Sequence, residues 1–434
     1  MDGPAFAPGA QRNRLLVPNL IVQKYGGTSV GDVERIRKVA ARIQRAVDAG
    51  NKVAVAVSAM GHTTDRLIAT ARELAPRPDR RELDMLMATG EQVSIALLTM
   101  ALHQLGVRAR SLTGAQAGFV TDGVYGTARI VQVRAEQLVA ALAEVDVVVV
   151  AGFQGTTPTG ELTTLGRGGS DTTAVAIAAA LGAEECEIYT DTDGVYTTDP
   201  HAIPTATKLE RIDYDEMLEL AALGARVLHP RSVWYARRYG VRIHVRSSFS
   251  FTTGTIVTTL PRRQEAAMQT DRPVTGVTLD DQHARINVLG VPDVPGIAAQ
   301  IFAALGAAGV NVDMIIQGVP GAGDSRQQMS FTVPLDLAED AVEAVRPVLE
   351  RIGGGEVSAD ADVAKLSIVG VAIGSTPGLA GQLFEAVANS GANIEMIATS
   401  EVRISVVIPK ALAATALRAV HDAFGLDRPA QSQA

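Results

Sequence analysis

Two glycine-rich stretches carry the residue types best suited to chemistry. The first is Val22-Gln23-Lys24-Tyr25-Gly26-Gly27-Thr28-Ser29, a lysine followed by two glycines and two hydroxyls. The second is Thr164-Leu165-Gly166-Arg167-Gly168-Gly169-Ser170-Asp171-Thr172-Thr173, three glycines around one arginine. Glycine lets backbone N–H groups come close to an anion, and a helix start adds positive partial charge. The second stretch is neither a Walker A loop nor a dinucleotide Gly-x-Gly-x-x-Gly. A turn with a helix cap would use one or two of these residues; all of them together point to anion binding.

The flanking sequence says what must position these groups. An apolar run from Val145 to Phe153 precedes the arginine loop, and Ala174 to Leu181 follows it, which reads as strand, loop, helix. Leu20 to Tyr25, Val53 to Ser58, Val145 to Ala151 and Cys186 to Asp191 read as strands. Asp32 to Ala49, Glu82 to Gln104 and Thr172 to Leu181 read as helices, the first ending at Gly50. Alternation of this kind predicts an α/β fold with a mainly parallel sheet and ligands at the carboxyl ends of its strands.

The chain has 434 residues, enough for two or three domains, with 47% hydrophobic residues, 41 glycines and few aromatics. A net charge of −8 argues against non-specific nucleic-acid or membrane-surface binding. The single cysteine, Cys186, excludes an intrachain disulfide or a cysteine-cluster metal site and reads as a buried strand residue. No unbroken apolar run reaches the roughly 20 residues of a membrane span. Residues 1–19 lack an apolar signal core and read as a flexible extension, so a cytoplasmic protein is expected.

Beyond Pro261 the chain repeats itself. Pro295-Gly296-Ile297 to Phe302 returns as Pro377-Gly378-Leu379 to Phe384, and Gly309, Asn311, Met314 and Ile315 return as Gly391, Asn393, Met396 and Ile397, all offset by 82 residues. The expected division is 20–262 for the α/β part, 263–275 for a linker, and 276–355 and 360–434 for two βαββαβ, ferredoxin-like modules. Each copy resembles the ACT domain, a module that binds amino acids at paired interfaces. That resemblance places an effector site on Asp293, Pro295, Gly296 and Ile297, facing Asn311, Val312 and Gln317. Only the first copy has an acidic residue, Asp293, before its Pro-Gly. Pure dimerisation is the simpler role for the repeat.

The α/β part resembles the amino-acid kinase fold and, within it, the aspartate kinase family. The resemblance rests on the two stretches above, on Ser58-Ala59-Met60-Gly61-His62-Thr63-Thr64-Asp65, Thr89-Gly90-Glu91 and Gly152-Phe153-Gln154-Gly155, on Tyr189-Thr190-Asp191-Thr192-Asp193-Gly194-Val195-Tyr196, and on Gly224-Ala225-Arg226-Val227-Leu228-His229-Pro230-Arg231-Ser232. An aspartate β-carboxylate, with a solution pKa near ~3.9, is already an ionised nucleophile at neutral pH. Such an enzyme needs no general base; it needs to hold two anions in line despite their repulsion. The resemblance implies Lys24 at the transferred phosphoryl group, oriented by Asp171, which would also serve as cap of a helix starting at Thr172. It implies Arg167 for the substrate α-carboxylate and Glu91 for its ammonium, with Thr64, Gly168, Gly169 and Ser170 adding contacts. A glycine at 90 inside an apolar helix asks for a structural reason. ATP, with Mg²⁺ carried by phosphates and water and no protein metal cluster, would meet Tyr25, Gly26, Gly27, Thr190, Asp191, Tyr196, His201, Arg226 and Val227. His201 and Arg226 stand where arginine and lysine are usual, and His229 and Arg231 read as structural.

The resemblance further implies 4-phospho-L-aspartate as product, a route toward lysine, threonine and methionine, and feedback by threonine with or without lysine. It also implies a homodimer or larger assembly and a separate regulatory subunit from an internal start at Met268. No dinucleotide fingerprint follows the repeat, so no fused homoserine dehydrogenase is expected. Two other readings compete. One is the same fold acting on glutamate, acetylglutamate, carbamate or UMP; the other is a non-catalytic amino-acid sensor.

Overall fold

A computed structural model describes residues 17–225, 227–260, 272–318, 326–371 and 373–428. Most of the expected extension and linker, with Met268 and Arg226, lie outside the described residues. The chain forms two compact units. Among the described residues, one takes those up to 195, 208–221 and 227–260; the other takes 196–207, 222–225 and those from 272 on.

The first unit runs β1 (Leu20–Tyr25), α1 (Val33–Asp48), β2 (Lys52–Val57), α2 (Thr63–Leu74), α3 (Arg80–Gln104), β3 (Ala109–Leu112), β4 (Phe119–Thr121), β5 (Ile130–Val133), α4 (Ala135–Glu144), β6 (Val147–Ala151), β7 (Gln154–Thr156), β8 (Leu162–Thr164), α5 (Gly169–Leu181), β9 (Glu185–Thr190), β10 (Arg211–Asp213), α6 (Tyr214–Ala222), α7 (Pro230–Tyr239), β11 (Arg242–Ser247) and β12 (Thr255–Thr258). Its main sheet has the order β10-β12-β11-β9-β1-β2-β6-β3. The β1, β2, β6 and β9 strands pair in parallel, and only β11–β12 is antiparallel. The valines of β2 and β6 are fully buried because helices cover both faces, α1 and α3 on one and α4 and α5 on the other. A small sheet, β5-β4-β7-β8, supports the arginine loop.

Two helices differ from expectation. By length and composition α3 could cross a membrane, yet half of its apolar stretch is buried, packed on α1, β2 and β6. It also carries the buried carboxyl groups Asp84 and Glu91. The start of α5 lies at Gly169, with Gly168 as N-cap at φ 68°, so Asp171 is inside the first turn and does not cap it. A left-handed cap needs glycine, and that is what the loop supplies.

The second unit contains β13 (Gly276–Asp280), β14 (His283–Pro292), α8 (Ile297–Ala307), β15 (Asp313–Gln317), β16 (Arg326–Pro334), α9 (Ala338–Arg351), β17 (Glu356–Asp360), β18 (Val363–Val369), α10 (Leu379–Asn389), β19 (Met396–Thr399), β20 (Arg403–Pro409) and α11 (Ala413–Ala423). Its two sheets, β15-β16-β14-β17 and β13-β18-β20-β19, do not follow the expected cut at 355–360. The β13 strand joins the second module, where Val277 pairs with Ile368 and enters its core. The outer edge of β14 is taken by β17, with Arg285 bound to Asp360 at 2.8 Å. Residues 196–207, expected in the α/β part, also pack here: Ile203 lies in the second module's core and the Thr197 hydroxyl donates to the Leu426 carbonyl at 3.1 Å.

The repeat packs on itself. Met314 and Met396, 82 residues apart, meet in a small core with Val363 and Val407. Asp313 pairs with the 3%-exposed Lys365 at 2.8 Å, and its counterpart Glu395 pairs with Arg285 at 2.5 Å.

Candidate active site

Strand alternation on β1 sends Lys24 toward α5 and its neighbours Gln23 and Tyr25 to the opposite face. The Lys24 ammonium lies 2.6 Å from the Asp171 carboxylate in the first turn of α5, both side chains about nine-tenths buried. Tyr25 is fully buried, stacked on Tyr189 with ring centres 4.7 Å apart, and its hydroxyl donates to Gln23. The expected nucleotide role for Tyr25 is therefore limited to its backbone. Beyond it the chain turns at Gly26 and Gly27. A Cβ on Gly27 would stand 2.8 Å from the Ala59 carbonyl, and the Gly61 N–H donates to the Gly27 carbonyl at 3.0 Å. The loops after β1 and β2 are thus interlocked.

Helix α3 presses on the second of these loops. A Cβ at Gly90 would meet that of Ala59 at 2.8 Å, which is the structural reason for a glycine there. This approach lets the Ala59 N–H donate to Glu91 Oε1 at 3.0 Å. The other carboxylate oxygen, Oε2, is buried without a partner, in a side chain only 3% exposed. Burial pushes the Glu91 pKa up to about 7. Thr64, half-buried, lies in the first turn of α2 behind the same loop.

Arg167 is exposed at the tip of its loop, between Gly166 (φ 74°) and Gly168. A Cβ on Gly168 would overlap the His229 ring, and one on Gly169 would strike Phe153, itself left-handed at φ 68°. A non-glycine residue in that conformation is held only where its surroundings over-determine it. Ser170 is buried against Gly152. His229 caps α7, and burial lowers its pKa although Asp171 opposes the shift. Arg231 Nη1 donates to the Leu165 carbonyl at 2.5 Å. Both residues, read as structural, hold the loop that carries Arg167.

Thr190 ends β9 beside β1, and its hydroxyl donates to the exposed Asp191 at 2.9 Å. Val227 is half-buried in the first unit; Tyr196 and the exposed His201 belong to the second. Sequence reading missed Lys208, whose ammonium lies 3.0 Å from Asp193 in the turn after β9. No local signal links residues 15 apart. Among the described residues, one group of carboxylates and histidine is close enough to hold a metal: Glu185, Glu187 and His244. It lies on the Gln23 side of the sheet and is already paired with Arg242 and Arg246.

In the second unit a cleft of ≈ 290 Å³ is lined by Asp293, Pro295, Gly296, Ile297 and Gln317. Asn311 and Val312, expected in it, are not lining residues; Gln327 and Met329 of β16 take that place. The reason is topological, since β16 lies between β14 and β15. Gln327 donates to Asp293 and accepts from Gln317, joining both walls.

The sequence pattern of the amino acid kinase family matches residues 19–247, and that of the ACT domain matches 286–348 and 366–424. Over 409 residues the chain is 63% identical to an aspartokinase of Thermus thermophilus, covering 94% of this chain and 99% of that one. The chain belongs to the aspartokinase family. Another aspartokinase, from Mycolicibacterium smegmatis, is 49% identical over 94% of this chain and 96% of its own. The aspartate kinase structure from Synechocystis is 46% identical, with a TM-score of 0.51 over 94% of this chain and 69% of that one. E. coli aspartokinase III, crystallised with aspartate and ADP, is 24% identical and shares the fold with a TM-score of 0.77 over 93% and 99%. The matched ACT segments of this aspartokinase omit β13 and β17, the two strands the modules exchange.

Proposed function

We propose that this aspartokinase transfers the γ-phosphoryl group of ATP to the β-carboxylate of L-aspartate. One observation carries the reading: Glu91 on α3 keeps one buried, unpartnered oxygen while its other oxygen accepts from the Ala59 N–H of the loop that interlocks with the Lys24 loop. A buried acceptor of this kind is costly unless a ligand cation fills it. An α-ammonium group does so, and Arg167 takes the α-carboxylate in a bidentate fork. The β-carboxylate oxygen then forms the new bond to phosphorus while the bond to the bridging oxygen breaks and ADP leaves. Lys24, steered by Asp171, balances charge on the moving phosphoryl group. The carboxylate at this mouth, Asp171, is already paired, which suits a Mg²⁺ ion carried on the phosphates.

The same reading covers regulation. The Asp293 cleft would bind an amino-acid effector, threonine alone or with lysine, as fits an enzyme opening a route to lysine, threonine and methionine. Exposed Ile315 and Ile397, on the edge strands β15 and β19, support pairing of modules between copies. A regulatory polypeptide starting at Met268 would show as a second, smaller band in expressed material. ATP turnover measured with and without L-aspartate, trapping the acyl phosphate with hydroxylamine, tests the activity. Turnover that ignores aspartate, or prefers glutamate, would overturn it.

A further inference from the structure

Helix α3 carries a second buried carboxylate that the reaction does not use. Asp84 is fully buried, seven residues before Glu91, and therefore on the same face of the helix. Its oxygens accept three hydrogen bonds: from the Thr164 N–H at 2.8 Å, the Thr164 hydroxyl at 2.7 Å and the Gly126 N–H at 3.0 Å. No ion pair to Asp84 is found among the described residues, so these donors alone offset its desolvation. Thr164 ends β8, three residues before Arg167, and its carbonyl accepts from the Ala128 N–H at 2.9 Å. Gly126 is equally close to the loop: a Cβ on Gly166 would stand 3.0 Å from its carbonyl. One carboxylate thus ties the α3 helix to both strands of backbone that fix the base of the Arg167 loop.

We propose that Asp84 is a positioning residue that sets the separation between the two anchors of the amino-acid substrate, Glu91 and Arg167. The inference rests on the substrate reading above. It follows from rigidity: Glu91 moves with α3, Arg167 moves with the residues after β8, and Asp84 is the fully buried carboxylate that bonds α3 directly to the base of that loop, where Gln154 and Arg81 link α3 only to neighbouring residues. Losing it lets the guanidinium drift relative to the ammonium site without disturbing Lys24 on β1.

The test is steady-state kinetics of the full chain. Asp84→Asn keeps the volume but presents an NH₂ group to N–H donors. It is expected to raise KM for aspartate about tenfold or more. KM for ATP should stay within about twofold, and kcat at saturating aspartate should fall far less than KM rises. The variant should also discriminate less between aspartate and β-alanine, which lacks the α-carboxylate that Arg167 would read. If Asp84→Asn fails to fold, Thr164→Val, which removes the hydroxyl alone, should shift aspartate KM in the same direction by about threefold. Equal changes in both KM values, or an unchanged aspartate KM, overturn the proposal. Arg167→Ala and Glu91→Gln separate the two failures. If they raise aspartate KM and Asp84→Asn does not, only the positioning role is lost; if wild type shows no aspartate-dependent turnover, the substrate reading itself is lost.

Discussion

The proposed substrate site and the proposed effector cleft begin alike, with a left-handed glycine capping a helix: Gly168 before α5 and Gly296 before α8. They keep their polar groups in opposite ways. Lys24 and Asp171 are 12% and 11% exposed and Glu91 3%, each fixed by a backbone or ion-pair contact before any ligand arrives. Asp293 and Gln317 are exposed and satisfied through Gln327. Buried charges in low dielectric act strongly and need no rearrangement during reaction. Exposed groups that trade one hydrogen bond for another release little energy, which suits a reversible signal of a few kcal/mol. The contrast predicts large losses from changes at the first site and modest ones at the second.

The largest effect is expected at Lys24. Lys24→Ala removes the cation held by Asp171 and should lower kcat by about 10²–10³, the scale of one lost electrostatic stabiliser. Aspartate KM should change little, because Glu91 and Arg167 remain. Near-normal turnover in that variant would erase the distinction between the two sites.

Glu91 should act through binding. Glu91→Gln is expected to raise aspartate KM by about 10², the cost of replacing a buried charge-assisted contact. The raised pKa also fixes a pH dependence. With a free-protein value of about 7, Glu91 is neutral below that pH, and the ammonium of aspartate needs the ionised form. Aspartate KM should therefore climb roughly tenfold per unit as pH falls below 7, while kcat at saturation stays flatter. Stability runs the other way. An acid whose pKa is higher folded than unfolded stabilises the fold below its unfolded value and loses that contribution as pH rises through its folded one. At pH 8 the substrate-free Glu91→Gln protein should be more stable than wild type, by up to about 3 kcal/mol. A melting curve in which the variant is the weaker protein at pH 8 would remove the buried-carboxylate argument.

Much of this site was legible in the sequence because its signals are local. Lys24 before two glycines, Gly90-Glu91 and the strand-loop-helix around Arg167 each announce themselves within ten residues. Strand parity alone could have moved Tyr25 off the nucleotide side, since neighbours on a strand face opposite ways. The rest needed pairing across distance. Which sheet takes β13 and β17 depends on Val277 finding the second module's core and Asp360 finding Arg285. The place of Gln327 follows from β16 lying between two other strands, and that of Lys208 from a turn meeting Asp193.

The smallest effect separates the two copies of the repeat. At the position of Asp293 the second copy has Ser375, and at that of Gln317 it has Thr399, so the ionic and amide groups of the first cleft have no equivalents there. Asp293→Ala should weaken threonine inhibition about tenfold, one charge-assisted hydrogen bond, and leave uninhibited kcat unchanged. Ser375→Ala should shift it less than about twofold, as expected for a neutral hydroxyl at a solvated position. Calorimetry on the full chain adds a check that inhibition curves cannot give. If effector and substrate bias one equilibrium, saturating aspartate must weaken threonine binding by the same factor by which threonine weakens aspartate binding. Equal sensitivity of the two copies would mean that fold symmetry, and not the polar set at Asp293, selects the effector.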